Sequence, residues 1–479
     1  MSTTNIVVLV CYIILMIVVA AWFSRKKSMQ DGSDFIMAGR SLPTFVLGGT
    51  LLATFVGSGS IIGGASFVFS NGPLPGIFFF MGTFVGIIFL ALMSRRIRTN
   101  SFNTVPELFR ARFGPATSVI GTVVVLVAFI GIAAYQFTGA GYIFSLITPL
   151  SEVQGTIVAL ILIGFLALSG GLKSVAWTDF LSSILVVLGL GAALVWVFVN
   201  DIGGVGGYVN QLDPAFKTLT GTLNPVQILG YFLPLFLLVL GDQNMHQRIG
   251  AAKDPATAFK AILVFFFGTA LVVAPIILLA SGATIVNPGS DPDMAILGLA
   301  AGEFTPAIIG AVILTAALAI IVTTGSSYLL TCSGNIVYDL VFRPGTARRE
   351  RPGAERRELL VSRVGVAVIA ILGYVMVQFF PTLLALQMYA YTMYGAAITP
   401  VVIAALFWKR ATAAGAIVSM IAAGLTTIGW EVFGPGDQVA SVVVALPVAV
   451  ISLVIVSLLT PRRAPVPEGD TAATETARV

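Results

Sequence analysis

Charge, histidine and cysteine are all scarce in this chain, and each scarcity removes a class of function. Only 10% of the 479 residues are Asp, Glu, Lys or Arg, against 57% that are hydrophobic. A soluble globular domain carries about 25% charged residues, so no such domain accounts for this sequence. The single histidine, His246, leaves no histidine-based metal centre. The two cysteines, Cys11 and Cys332, lie in apolar runs and offer neither a disulfide framework nor a thiolate cluster. No nucleophile–base pair presents itself, so an enzyme is not expected. Gly57-x-Gly59 has no strand–helix context and carries no nucleotide-binding signal. The net charge of +5 would suit nucleic acid, but the placement of the cations points to a lipid bilayer instead.

What the chain has in abundance is apolar runs of roughly 20 residues, the length that crosses a membrane. Thirteen are read, at 5–23, 43–69, 73–93, 117–147, 153–169, 174–199, 226–247, 256–283, 305–339, 360–379, 382–407, 412–431 and 438–460. The expected fold is therefore an all-α polytopic membrane protein with 13 transmembrane helices. Arg25, Lys26 and Lys27 follow the first run rather than precede it, the reverse of a signal peptide. That order predicts a retained anchor with its N-terminus outside. Of the 26 Lys and Arg, only Lys217 then falls outside. Arg95, Arg96, Arg98, Arg110, Arg112, Lys173, Arg248 and the run Arg348 to Arg363 are all expected in cytoplasmic loops. One helix more or fewer would scatter these charges over both faces. The expected location is the plasma membrane with a cytoplasmic C-terminus. The tail 461–479 reads as disordered and 343–359 as a charged linker, leaving no room for a soluble sensory domain.

The stretch Ala53 to Gly64, ATFVGSGSIIGG, interrupts the second run where a spanning helix should be most regular. In hydrocarbon every backbone N–H and C=O needs a partner, so a helix breaks at depth only against protein or a cavity. The exposed ends of two half-helices are ready-made sites for a cation and a polar solute. The competing reading is a packing face, because Gly59-x-x-x-Gly63 fits the small-residue motif. A second interruption, Gly241-Asp242-Gln243-Asn244, falls five runs later, where the alternative is that the span simply ends. Paired interruptions in two halves point to an inverted 5+5 repeat, helices 2–6 and 7–11, with broken helices 2 and 7. The expected divisions are 1–42 (extra helix and loop), 43–225 (first repeat), 226–410 (second repeat), 411–460 (two peripheral helices) and the tail 461–479.

Carboxylates are nearly absent from the expected membrane core, with Asp179 the exception. An acid there costs about 2.5–3.5 kcal/mol on insertion scales and is a functional site by default. The nearest base in sequence is Lys173, and pairing with it is the competing, structural role. No Arg or Lys is expected at mid-membrane, so a solute carboxylate would rest on half-helix amides. In the run 305–339, Thr323, Ser326 and Ser327 are spaced i, i+3, i+4 and share a face. Thr324 turns about 100° away, towards a neighbouring helix. Hydroxyls and carbonyls with few charges are the hard oxygen ligands a small cation takes, although such hydroxyls also bond their own helix.

At these residues the chain resembles the sodium:solute symporter family, which has the leucine-transporter-like fold. The resemblance runs from Phe35 to about Pro461. It rests on AGRSLP (38–43), LLAT (51–54), Tyr135-Gln136…Gly139-Ala-Gly141, GGLKSVAWTD (170–179), GDQNMHQR…AAKD (241–254), TTGSS…CSGNIVYDL (323–340) and FWKRATAAGA (407–416). It implies a first Na⁺ site made of the carbonyls of Ala53, Val56 and Ile320 with the hydroxyls of Thr323 and Thr324. A second Na⁺, as in two-sodium members, would be held by Asp179, Thr323, Ser326 and Ser327. For the solute it implies Phe55, Ser58 and Ser60 on helix 2 and Phe236, Val239 and Leu240 on helix 7. Tyr135 and Gln136 add polar contacts from helix 4. Several of these positions are polar in sugar carriers and apolar here, which argues against a sugar.

The expected function is Na⁺-coupled symport of a small organic solute by alternating access, with one or two Na⁺. The alternatives are a proton-coupled carrier, with Asp179 as the proton site, and a transporter-like solute sensor. The lipid bilayer is the expected surrounding; neither nucleic acid nor an obligate protein partner is implied.

Overall fold

The computed structural model describes residues 40–461 apart from 101, 170–171, 303, 343–353 and 437, with scattered positions between 7 and 18. Most of the expected span 5–23, most of the 343–359 linker and the tail beyond 461 therefore lie outside the described residues.

A broken helix leads the described bundle. α1 (Thr44–Phe55) follows Pro43 and ends at Val56, whose extended backbone stops the helix. The chain resumes as a π-helical segment, Gly59–Gly64, and continues as α2 (Ala65–Asn71), bent by 59° from α1. Gly72, at φ +93°, turns the chain in a conformation that disfavours any residue with a Cβ, and Pro73 opens the next helix. There follow α3 (Pro73–Thr99), α4 (Val105–Phe113), α5 (Pro115–Ile147), α6 (Glu152–Ser169), α7 (Leu172–Val197) and the short α8 (Gly204–Gln211). α9 (Pro225–Gly241) and α10 (Gln243–Gly250) are separated by Asp242 alone. α11 (Pro255–Val286), a short α12 (Ala295–Ala301) and α13 (Ala307–Gly334) come next, α13 running on as a π-helical turn, Asn335–Val341. α14 (Ala354–Val377), α15 (Leu383–Ala397), α16 (Thr399–Phe407), α17 (Ala413–Phe433) and α18 (Ser441–Leu459) complete the order.

Taking α9 with α10 and α15 with α16 as single spans, ten spans, or 11 with the bent pair α1–α2 as one more, are long and apolar enough to cross a membrane, and Glu152–Leu168 is a shorter apolar helix. Among the described residues there is no strand, only an isolated bridge between Leu42 and Ala252. Phe45, Leu92, Phe165 and Phe267 point outward, as lipid-facing side chains do. Small residues bring the broken helix close to its neighbours: a Cβ at Gly48 would strike Val264 of α11, and one at Gly49 would strike Phe180 of α7. α13 packs on α1, α5 and α7, and α15 packs on α5 and the π-helical segment. The broken helix thus lies between the hydroxyl-bearing α13 and the tyrosine-bearing α15.

Cationic side chains gather at one end. Arg98 donates to the Ala252 carbonyl (2.8 Å), Arg112 to the Lys409 carbonyl (2.9 Å), and Arg96 lies over the Phe407 ring. The ends of α3, α4, α10 and α16 therefore share a face of the bundle.

Candidate ion and solute site

The first break opens because two amides leave the helical ladder. Gly57 N–H turns back to the Phe55 carbonyl (3.1 Å), and Ser58 N–H donates to Gln136 Oε1 on α5 (2.9 Å). In a continuous helix these amides would serve the Ala53 and Thr54 carbonyls. The Ala53 carbonyl is instead met by the Thr324 hydroxyl of α13, at 2.9 Å. That contact joins two of the expected first-site ligands across two helices. On α13 the Thr323 hydroxyl lies 3.1 Å from the Ile320 carbonyl, and Val56 ends α1 three residues after Ala53. All five donors are oxygens and all five residues are buried, a hard, water-poor set suited to a small monovalent cation.

The second break is satisfied by tyrosines. Tyr394 Oη donates to the Gly241 carbonyl (2.9 Å) and accepts from Gln243 N–H (3.1 Å), spanning the gap from α15. Asp242 caps α10 through Asn244 N–H (2.8 Å) and accepts from Tyr328 Oη of α13 (2.6 Å). His246 Nε2 lies 2.8 Å from the Leu240 carbonyl. The run does not end at Gly241: it breaks at one residue and goes on as a buried polar turn. Asp242 and Asp339 are buried in span-length helices, so Asp179 is not the sole carboxylate there, which corrects the sequence expectation.

A larger correction concerns Arg248, expected in a loop. It is 1% exposed and pairs with Asp179, itself 2% exposed, at 3.4 Å. Its Nε donates to Thr50 Oγ1 of α1 (2.9 Å), and Thr50 donates to Asp179 Oδ2 (2.6 Å). Nη2 also reaches Ser327 Oγ at 3.4 Å. Thr323 approaches the same carboxylate, whereas the Ser326 hydroxyl bonds its own helix at the Thr323 carbonyl (2.9 Å). Asp179, Thr323 and Ser327 thus gather around one guanidinium while Ser326 stays on its own helix, and the positive charge beside Asp179 is Arg248 of α10. The side chain of Lys173 lies outside the described residues. Sequence placed Arg248 wrongly because it reads as the first charge after an apolar run, and only the resumed helix buries it.

The solute positions divide. Ser58, Tyr135 and Gln136 come together: Ser58 Oγ lies 2.7 Å from Gln136 Oε1 and 2.9 Å from the Tyr135 carbonyl. Gly57 and Gly139 permit this approach, since a Cβ at either would collide with Gln136 or Ser58. Ser60 turns back to the Phe55 carbonyl (3.0 Å). Phe55, Phe236 and Val239 make contacts with other helices. Phe55 sets its ring edge on Phe265 of α11, Phe236 packs on Phe232 and Phe89, and Val239 meets Gly86 of α3.

α15 supplies what the sequence reading missed. Tyr391 Oη is 3.1 Å from Tyr135 Oη and neighbours Gln387, and both side chains lie against Gly59. Gln387, buried, presses on Gly63, where a Cβ would collide with its Oε1, and that oxygen has no hydrogen-bond partner. An amide inside an apolar run was the available signal.

Two interrupted helices, their ends met by hydroxyls and amides inside a bundle of lipid-spanning length, define a multi-pass carrier with its site between helices. The chain belongs to the sodium:solute symporter family, whose profile matches residues 35–423. It is 27% identical over 469 residues to the high-affinity proline transporter PutP of Bacillus subtilis, covering 92% of this chain and 95% of that one. It is 28% identical over 463 residues to the sodium/proline symporter of Escherichia coli, covering 90% and 89%. A Na⁺-coupled sialic acid symporter in a substrate-bound, outward-open state has the same fold, with a TM-score of 0.81 at 18% identity, covering 97% of this chain and 99% of that one. Membership makes this chain a transporter rather than an enzyme, with Na⁺ as its coupling ion.

Proposed function

We propose that the chain carries a small zwitterionic solute of the proline type inward with Na⁺ by alternating access. One observation carries the reading: the break hands the Ala53 carbonyl to Thr324 on another helix. A Na⁺ inserted among Ala53, Val56, Ile320, Thr323 and Thr324 would replace that hydrogen bond with ion contacts and tie α1 to α13. Asp179, Thr323, Ser326 and Ser327 form the second Na⁺ site of this reading. The solute lies along the glycine face of the break, against Ser58, Ser60, Tyr135 and Gln136, with Gln387 and Tyr391 added. The unpartnered Gln387 oxygen suits a donor such as a secondary ammonium. Relatives named as proline transporters over nine-tenths of the chain favour that solute class. The proton-carrier reading loses its motive, because Arg248 already supplies the charge that a proton on Asp179 would.

The topology completes the proposal. Thirteen helices, an inverted repeat over 43–225 and 226–410, an outside N-terminus and a plasma-membrane location put the cationic end of the bundle in the cytoplasm. The test is thermal stability of the purified protein against proline, other amino acids, carboxylates, vitamins and sugars, in Na⁺ and in choline. Stabilisation by proline or a close analogue in Na⁺ alone is the expected result. A ligand that stabilises equally in choline, or stabilisation by a sugar only, would overturn it.

A further inference from the structure

We propose that Arg248 is a tethered competitor of Na⁺ for Asp179, so that the guanidinium and the second ion are alternative occupants of one cage. The inference rests on the second-site reading above. The oxygens assigned there to Na⁺ are those the guanidinium already touches: Asp179 Oδ2 and Ser327 Oγ, both at 3.4 Å from Nη2. One carboxylate compensates one positive charge, and two cations at contact distance within a buried site repel each other. Na⁺ entry therefore requires the guanidinium to leave.

Its grip is suited to that. The contacts to Asp179, Ser327 and the Asn244 carbonyl are all 3.4 Å, at the long end of hydrogen bonding. Only the Nε contact to Thr50, at 2.9 Å, is short. Room lies beside it. A cavity of about 280 Å³ is lined by Arg248 and Ser327 together with Gln247, Thr331, Ser362 and Glu358. Glu358, on α14, offers a second carboxylate on the wall of the same cavity, which Leu168, Val175, Leu330 and Val337 also line, so a displaced guanidinium has another acid to turn towards. Arg248 belongs to α10, past the second break, while Thr50 and Asp179 belong to α1 and α7. With the guanidinium in place the two broken helices are latched together. Na⁺ at Asp179 unlatches them, so the ion reports its presence to both halves of the transport site.

The experiment titrates Na⁺ at constant ionic strength with choline and follows both thermal stability and solute uptake. Arg248→Gln removes the competing charge and is expected to lower the half-saturating Na⁺ about tenfold, while Arg248→Lys, which keeps the charge, stays within about twofold of the original. The gain should vanish in Arg248→Gln with Asp179→Asn. A merely structural arginine gives the opposite sign, because its loss would loosen the site and weaken Na⁺ binding. Half-saturation unchanged or raised in Arg248→Gln overturns the competition. The underlying reading fails separately, if Asp179→Asn alone leaves the Na⁺ dependence untouched. Should Arg248→Gln not fold, Thr50→Val frees the guanidinium from its one short contact and is expected to lower half-saturation by a smaller factor, and no decrease again overturns the proposal.

Discussion

The Thr324 hydroxyl has two possible partners in a working cycle, the Ala53 carbonyl seen at 2.9 Å and an ion held by both. Thr324→Ala removes a ligand but no charge and leaves a methyl-sized gap in a buried position. Half-saturating Na⁺ is expected to rise about tenfold or more, with Thr324→Ser close to the original, measured by uptake against Na⁺ concentration. Gln387→Ala tests the solute face instead. Affinity for the solute should fall about fivefold to tenfold, while Na⁺-dependent stabilisation without solute stays unchanged. A loss of both together would make Gln387 a packing residue. Side-chain chemistry of this kind was legible in sequence only where helix spacing settled direction. Thr323 and Thr324 were readable because 100° per residue separates their faces. The surroundings of Phe55, Phe236 and Val239 were not, because which neighbour each side chain meets depends on packing between helices that spacing within one helix does not define. Arg248 was hidden more deeply, since its depth depends on how α10 resumes after Asp242.

Elements carry the second set of constraints. Both breaks were visible as glycine and polar residues within apolar runs, but what heals them was not. The healing groups come from elsewhere: Gln136 of α5 for Ser58 N–H, and Tyr394 of α15 for the ends of α9 and α10. A π-helical Gly59–Gly64 also escapes any reading from periodicity, because its residues suit an α-helix as well. At the other end of the broken helix, the turn Pro292–Met294 and α12 pack on α2. Asp293 sits there, its carboxylate accepting from Leu383 N–H (3.4 Å), and burial raises its pKa above the usual carboxylate value. A raised folded-state pKa means that the folded protein holds this proton to higher pH than the unfolded chain does. The associated stability is complete below the usual value and is lost as pH rises through the raised one. Asp293→Asn, which mimics the protonated acid, is therefore expected to raise Tm by about 1 °C at pH 8 and to have no effect near pH 4. A gain confined to the acid side would contradict that assignment.

For the whole molecule, the arginines bonded at one end of the bundle bear on the charge asymmetry the sequence displayed. Ten or 11 apolar helices of spanning length agree with all but two of the runs read from hydropathy: 5–23 lies largely outside the described residues, and 153–169 corresponds to a shorter helix. Hydropathy and charge are summed over many residues, so they survive local errors, whereas a transport site depends on a few atoms in contact. The sequence was accordingly informative about the class of carrier and about the two helices that meet at Ala53 and Thr324, and silent on the Arg248 latch and the α15 amide. The most direct test of the account is uptake of labelled proline into proteoliposomes carrying the full chain. An inward Na⁺ gradient at equal pH is compared with an inward proton gradient in choline. Accumulation with the Na⁺ gradient, lost when that gradient is dissipated, is the predicted result. Uptake equally fast in choline under the proton gradient, or no proline accumulation under either, would contradict it.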